Sequence, residues 1–248
     1  MTAELLAALV FIGFLALILG LAAVGRRWSA EFRPMAGFEA LRLAIERAVE
    51  AGERVHVSLG TGSVIGPESA PAMVGLAMLG RVAAATAMSD KPVVVTTGDG
   101  ALAILAQDTL RTAYERAGAG GRYDATSGRM VGPTPFSYVA GLPMVLSGED
   151  VSVNMLNGSF GAESALAAEF GQRQNGHVLA GADDLQAQAL LYVTAENPLL
   201  GEEVFAGGAY LNVGPLHRAS LRAQDVARWV IVAAVILGSL LLTFGVGR

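Results

Sequence analysis

Gly62-Ser-Val-Ile-Gly-Pro-Glu-Ser-Ala70 and Gly158-Ser-Phe-Gly-Ala-Glu-Ser-Ala165 are two versions of one short phrase, each following an apolar run, Val55 to Leu59 and Val151 to Met155. Glycine ahead of a helix start is what a tight strand-to-helix turn needs, because it permits backbone conformations that other residues resist. Two such turns predict two related α/β halves. In open parallel sheets, turns of this kind are also where ligands bind.

Outward from the two phrases, short apolar runs alternate with longer helical stretches. Phe38 to Ala51 is amphipathic, with Leu41, Ala44, Ile45, Ala48 and Val49 on one face, and Gly52 ends it. Strands are expected near Val55 to Leu59, Val93 to Thr97, Arg129 to Val131, Val151 to Met155, Val178 to Ala180 and Leu190 to Thr194. Helices are expected near Ala70 to Met88, Leu102 to Arg116, Pro135 to Leu146, Ala162 to Gln174 and Asp183 to Ala189. Strands that lack strict alternation and are separated by helices indicate a parallel sheet covered on both faces. The fold class is therefore α/β, a doubly wound, mostly parallel sheet of about six strands, Rossmann-like, with the first strand of each half side by side at the switch point.

The ends of the chain are of another kind. Leu5 to Val24 is twenty residues of Ala, Leu, Val, Ile, Phe and Gly, enough for a helix to cross a bilayer core of roughly 30 Å. Trp229 to Val246 is a second such run, with Trp229 at an interfacial position. Met1-Thr-Ala-Glu4 lacks the basic segment of a signal peptide. Arg26, Arg27 and Arg33 follow the first run and Arg218, Arg222 and Arg228 precede the second, while only Arg248 lies beyond the outer ends. The positive-inside rule then predicts a two-span protein of the plasma membrane, its central domain cytoplasmic and both termini extracytoplasmic. The expected organisation is a transmembrane helix over 1–27, a linker over 28–37, the α/β domain over 38–213, and over 214–248 a juxtamembrane helix that continues into the second span. Ala16 with Gly20, and Ala234 with Gly238, are small pairs that allow close helix contact, a sign of homo-oligomers or of packing between the two spans.

Composition narrows the chemistry. Between Ser29 and Asp225 the chain has thirteen basic and twenty-one acidic side chains, so a nucleic-acid partner is not expected. There is no cysteine, and the only lysine, Lys91, precedes Pro92 instead of closing a glycine-rich loop. That excludes disulfides, thiolate metal sites and a Walker loop. Three scattered histidines predict no metal site. His56, inside a strand, reads as a packed or hydrogen-bonded histidine, and His177 stands at a strand entrance.

The candidate ligand-binding residues are those at the strand ends: Gly60, Thr61, Gly62, Ser63, Gly98, Asp99, Asn157, Gly158 and Ser159. Glycines there let backbone amides approach an anion at a helix start. No cofactor is predicted, although a nucleotide is a ligand such loops admit. Gly60-x-Gly62-x-x-x-Gly66 is one residue longer than the dinucleotide fingerprint and lacks a convincing acidic ribose partner. Glu68 and Glu163, equivalent in the two phrases, could act as paired carboxylates; as first-turn glutamates they also suit the helix dipole, with Ser69 as a cap. Asn157-Gly-Ser159-Phe-Gly161 approaches the nucleophile elbow of serine hydrolases, and Asp183 and His217 follow in the right order. Asn157 stands where that elbow has glycine, and the first copy brings no second triad. Glu196 to Leu211 is too apolar for a free loop; Pro198 suits a helix start, and the segment reads as packing or as a lid.

Taken with the terminal runs, His56-Val-Ser-Leu-Gly-Thr-Gly62, Asn157-Gly-Ser-Phe-Gly-Ala-Glu163 and Gly201-Glu-Glu-Val-Phe-Ala-Gly-Gly-Ala-Tyr-Leu211 resemble a family of bacterial membrane proteins carrying a domain of unknown function. The resemblance covers most of the chain and implies no catalytic residues. The expected role is a membrane-anchored structural or oligomer-forming module. The alternatives are a small-molecule or nucleotide sensor, and a hydrolase acting through Ser159.

Overall fold

The computed structural model describes residues 3–25, 32–174 and 176–244. The chain divides into two compact units, Met1–Phe32 with Gly214–Arg248, and Arg33–Val213.

In the larger unit six strands, β1 (Arg54–Gly60), β2 (Val94–Thr97), β3 (Gly128–Met130), β4 (Val151–Ser159), β5 (His177–Ala182) and β6 (Asn197–Leu199), form one sheet in the order β3-β2-β1-β4-β5-β6. Every pairing is parallel. This is the doubly wound order, with the topological switch between β1 and β4. His56 lies opposite Asn154, and Gly60 opposite Ser159.

Strand side chains alternate between two cores. Val55, Val57, Leu59, Val95 and Met155 face a core filled by α2 (Ala36–Ala51), α3 (Ser69–Thr86), α4 (Gly100–Arg116) and α8 (Glu203–Tyr210). Val94, Leu156, Val178, Ala180 and Ala182 face α5 (Pro135–Gly148), α6 (Ser164–Arg173) and α7 (Leu185–Thr194). Because strands buried on both faces need no polar side, their sequences read as continuous apolar runs.

The sixth strand is a correction. Leu190 to Thr194 is the last part of α7, and β6 follows it at Asn197–Leu199. Pro198 is accordingly in a strand, not at a helix start. Glu196 to Leu211 is packed structure, with the rings of Phe38 and Tyr210 stacked at 5.1 Å. Helix α2 begins at Ala36, two residues before the expected start, after Pro34 and Met35. Arg26, Arg27, Arg248 and residues 28–31 of the expected linker lie outside the described residues.

The smaller unit holds α1 (Ala3–Gly25) and α9 (Pro215–Thr243), packed against each other. Gly25, the last residue of α1, lies against Arg222 near the start of α9, so the helices run in opposite senses. Both are long and apolar enough to cross a membrane. A third helix, α3, also meets that standard, but half of it is buried inside the fold. Its apolar residues Ala72, Leu76, Met78, Leu79, Val82 and Ala83 belong to the sheet core.

Candidate functional site

At the switch point the tips of β1, β2 and β4 are tied together by their own backbone. Gly60, in the left-handed region at φ +76, turns the chain out of β1. The Thr61 amide donates to the Ser159 carbonyl at 3.1 Å, and the Gly98 amide donates to the Gly60 carbonyl at 2.8 Å. The Thr97 hydroxyl also donates to the Gly60 carbonyl, at 3.2 Å.

Glycine is needed here for the approach of chain to chain. A Cβ on Gly158 would overlap the Leu59 carbonyl, one on Gly60 the Ser159 carbonyl, and one on Gly62 the Ser159 side chain. On Gly98 it would meet Thr61 and the Gly132 carbonyl. At these four positions the neighbouring loops leave no room for a side chain. The Thr61 and Gly98 amides are spent on carbonyls, and Gly60–Gly66, Thr97–Gly100, Asn157–Glu163 and Gly181–Asp184 carry no basic side chain.

The acidic residues have local tasks. Asp99 caps α4, accepting from the Leu102 amide at 2.8 Å, and Asp184 caps α7, accepting from the Ala187 amide at 2.9 Å. Ser63 accepts from the Ile65 amide at 3.3 Å. The two phrases start their helices alike: the Ser69 hydroxyl donates to the Gly66 carbonyl at 2.6 Å, and the Ser164 hydroxyl to the Gly161 carbonyl at 2.8 Å. Glu68 and Glu163 both occupy the cap position without a side-chain cap bond, and Ser69 is the first helical residue. Glu163 is buried and accepts from the Gly161 amide at 2.9 Å, a bond that Glu68 lacks.

Ser159 and Asp183, far apart in sequence, meet: the hydroxyl donates to Asp183 Oδ2 at 3.2 Å. His217 belongs to α9, in the other unit. Among the described residues no histidine is bonded to Ser159 or Asp183, since His56 and His177 pair elsewhere. The hydrogen-bond partner of the Ser159 hydroxyl is thus a carboxylate. No group of three His, Asp or Glu side chains able to hold a metal occurs among the described residues. Asn157 is the unexplained member: it is fully buried, and neither its Nδ2 nor its Oδ1 has a partner. Asp183 Oδ1 is also buried and without one.

A family model described as a domain of unknown function, DUF6754, matches residues 1–247. The chain belongs to the DUF6754 family. No curated protein and no solved structure matches it. The roles of DUF6754 residues in this chain therefore rest on their own geometry.

That geometry contains a group the sequence did not reveal. On the α5 and α6 face, beneath the tips, a buried chain of hydrogen bonds crosses three strands. Asn154 Oδ1 lies 2.7 Å from His56 Nδ1, and His56 Nε2 lies 2.8 Å from the Thr96 hydroxyl. The Tyr138 hydroxyl is 2.7 Å from that of Thr96 and also bonds Ser58. Burial of the imidazole lowers the His56 pKa to about 4, against the opposing pull of the Asn154 bond. Burial likewise pushes Tyr138 up to about 12. With His56 neutral and Nδ1 donating to Asn154, Thr96 must donate to Nε2, Tyr138 to Thr96 and Ser58 to Tyr138. Only His56, at a strand interior, hinted at this group; Ser58, Thr96 and Tyr138 have ordinary sequence surroundings.

Proposed function

We propose that this DUF6754 protein is a membrane-anchored module whose α/β domain associates with further copies of itself and performs no chemistry at its switch point. The observation that carries the reading is the closure of the strand tips, where the glycines and amides of a ligand loop are used to hold β1, β2 and β4 together. The apolar helices α1 and α9 support anchoring, and the arginines flanking them support a cytoplasmic domain with extracytoplasmic termini. The resemblance drawn from the sequence supports a bacterial plasma membrane. Light scattering on the full chain after mild detergent extraction should give an oligomer. A strict monomer over the micromolar range would overturn the proposal.

A second reading is favoured by one observation: the side-chain amide of Asn157 and one oxygen of Asp183 are both buried and unpartnered. A buried polar group without a partner is costly, and a small ligand bearing donor groups would supply one. Thermal shift with nucleotides, sugar phosphates and acyl compounds tests it. Stabilisation that disappears in Asn157→Leu supports a sensor, and the absence of any such compound removes it.

A further inference from the structure

The two helical layers differ sharply in charge. Opposite α5, α6 and α7, the helix α2 alone carries Glu39, Arg42, Glu46, Arg47 and Glu50, and α4 carries Asp108, Arg111, Glu115 and Arg116. Helices α5 and α7 contain no charged residue at all. The only charged residues within the three helices are Glu169 and Arg173 of α6, which bond each other at 2.9 Å. The outer surface of these helices is rich in apolar side chains: Phe136 is 75%, Met144 82%, Leu185 79% and Val193 82% exposed, and Leu166 and Tyr192 are exposed beside them. Scattered exposed apolar residues are ordinary, whereas a layer of three helices without charge outside one internal pair is the composition of an interface.

We infer that this face binds the same face of a second copy, with α6 crossing its symmetry mate in the opposite direction about a two-fold axis. The inference rests on the self-association just proposed and assigns its surface. Two features of α6 select a second copy over other occupants. A two-fold contact must be self-complementary. A Glu169 and an Arg173 one turn apart meet that condition when α6 packs antiparallel to itself, because each glutamate then faces the other copy's arginine. A bilayer surface, by contrast, calls for an excess of basic residues, and here one arginine is balanced by one glutamate. Size also agrees. Helix α5 has 14 residues and α6 and α7 have 10 each, about 21, 15 and 15 Å, and at a spacing of about 10 Å they give a planar footprint of about 500 Å². That is of the order of the roughly 800 Å² of accessible surface per partner in a stable complex.

Charge reversal on the full chain in detergent or nanodiscs tests the assignment by sedimentation. Glu169→Arg and Arg173→Glu, made separately, should each weaken self-association at least tenfold. Mixed together, the two variants should associate with each other, because one then presents two arginines and the other two glutamates. Met144→Glu, on an open surface, should also weaken it, with circular dichroism unchanged in all three. The absence of cysteine adds a positional readout: Gln172→Cys, close to the proposed axis, should form a disulfide between copies when a mild oxidant such as copper phenanthroline with air is added to take up the two electrons. If the wild-type chain is monomeric, both the module reading and this inference fall. If it is oligomeric but the three variants associate as tightly as wild type, only the assigned face falls, and the contact lies elsewhere.

Discussion

The two copies of the repeated phrase begin their helices with the same serine-to-glycine bond, yet they diverge at the glutamate. Glu163 is buried and holds the Gly161 amide, whereas Glu68 is exposed and makes no cap bond. Their glycines also serve each other: Gly158 makes room for β1, and Gly60 and Gly62 make room for Ser159. The likeness between the copies thus concerns how a strand hands over to a helix, and the difference shows which copy is embedded in its neighbours.

The hardest test of this comparison is Gly158→Val. Its Cβ would meet the Leu59 backbone, which has little freedom to move, so we expect a loss of about 4 kcal/mol, measured by chemical denaturation of the domain. Gly66→Ala, at φ +91 but facing open space, should cost only about 1 kcal/mol. Equal costs would mean that the Leu59 backbone yields to the added side chain.

Next in size is the seam between the halves, where His56 of β1 bonds Asn154 of β4. Its folded pKa of about 4 lies below the unfolded 6.5. Above pH 6.5 both states are neutral and the residue adds no pH dependence. As pH falls from 6.5 towards 4 the unfolded chain takes up a proton that the folded one refuses, and stability should drop by about 3 kcal/mol. His56→Gln should flatten that part of the profile. An unchanged slope would place the titration elsewhere.

The glutamates separate the copies directly. Glu163→Ala should cost about 2 kcal/mol, because it strands the Gly161 amide, and Glu68→Ala less than about 0.5 kcal/mol. The smallest effect sharpens the question of the tips. Asn157→Leu should leave stability unchanged or raise it by about 1 kcal/mol, since the amide it removes has no partner. A clear loss instead would reveal a bound group.

The sheet, its parallel sense and its switch point were legible because buried strands and helix starts leave strong local patterns. The sixth strand was not. Leu190-Leu-Tyr-Val-Thr194 has the apolar, β-branched look of a strand, but a run this short carries no period that separates it from a buried helix end. At the site, the strand-end residues were found, while their use against one another was not, because contacts between loops a hundred residues apart have no local signature. The same holds for Tyr138, which reaches Ser58 and Thr96 across the sheet.

One consequence follows from β6. A strand at the margin of a sheet ordinarily offers unpaired amides to any other extended chain, and this invites fibrous growth. In Asn197-Pro-Leu199 the proline has no N–H, and the two remaining amides lie on the side that can pair with β5. The margin therefore offers no donor to an incoming strand, and at this edge the sheet ends by its own chemistry.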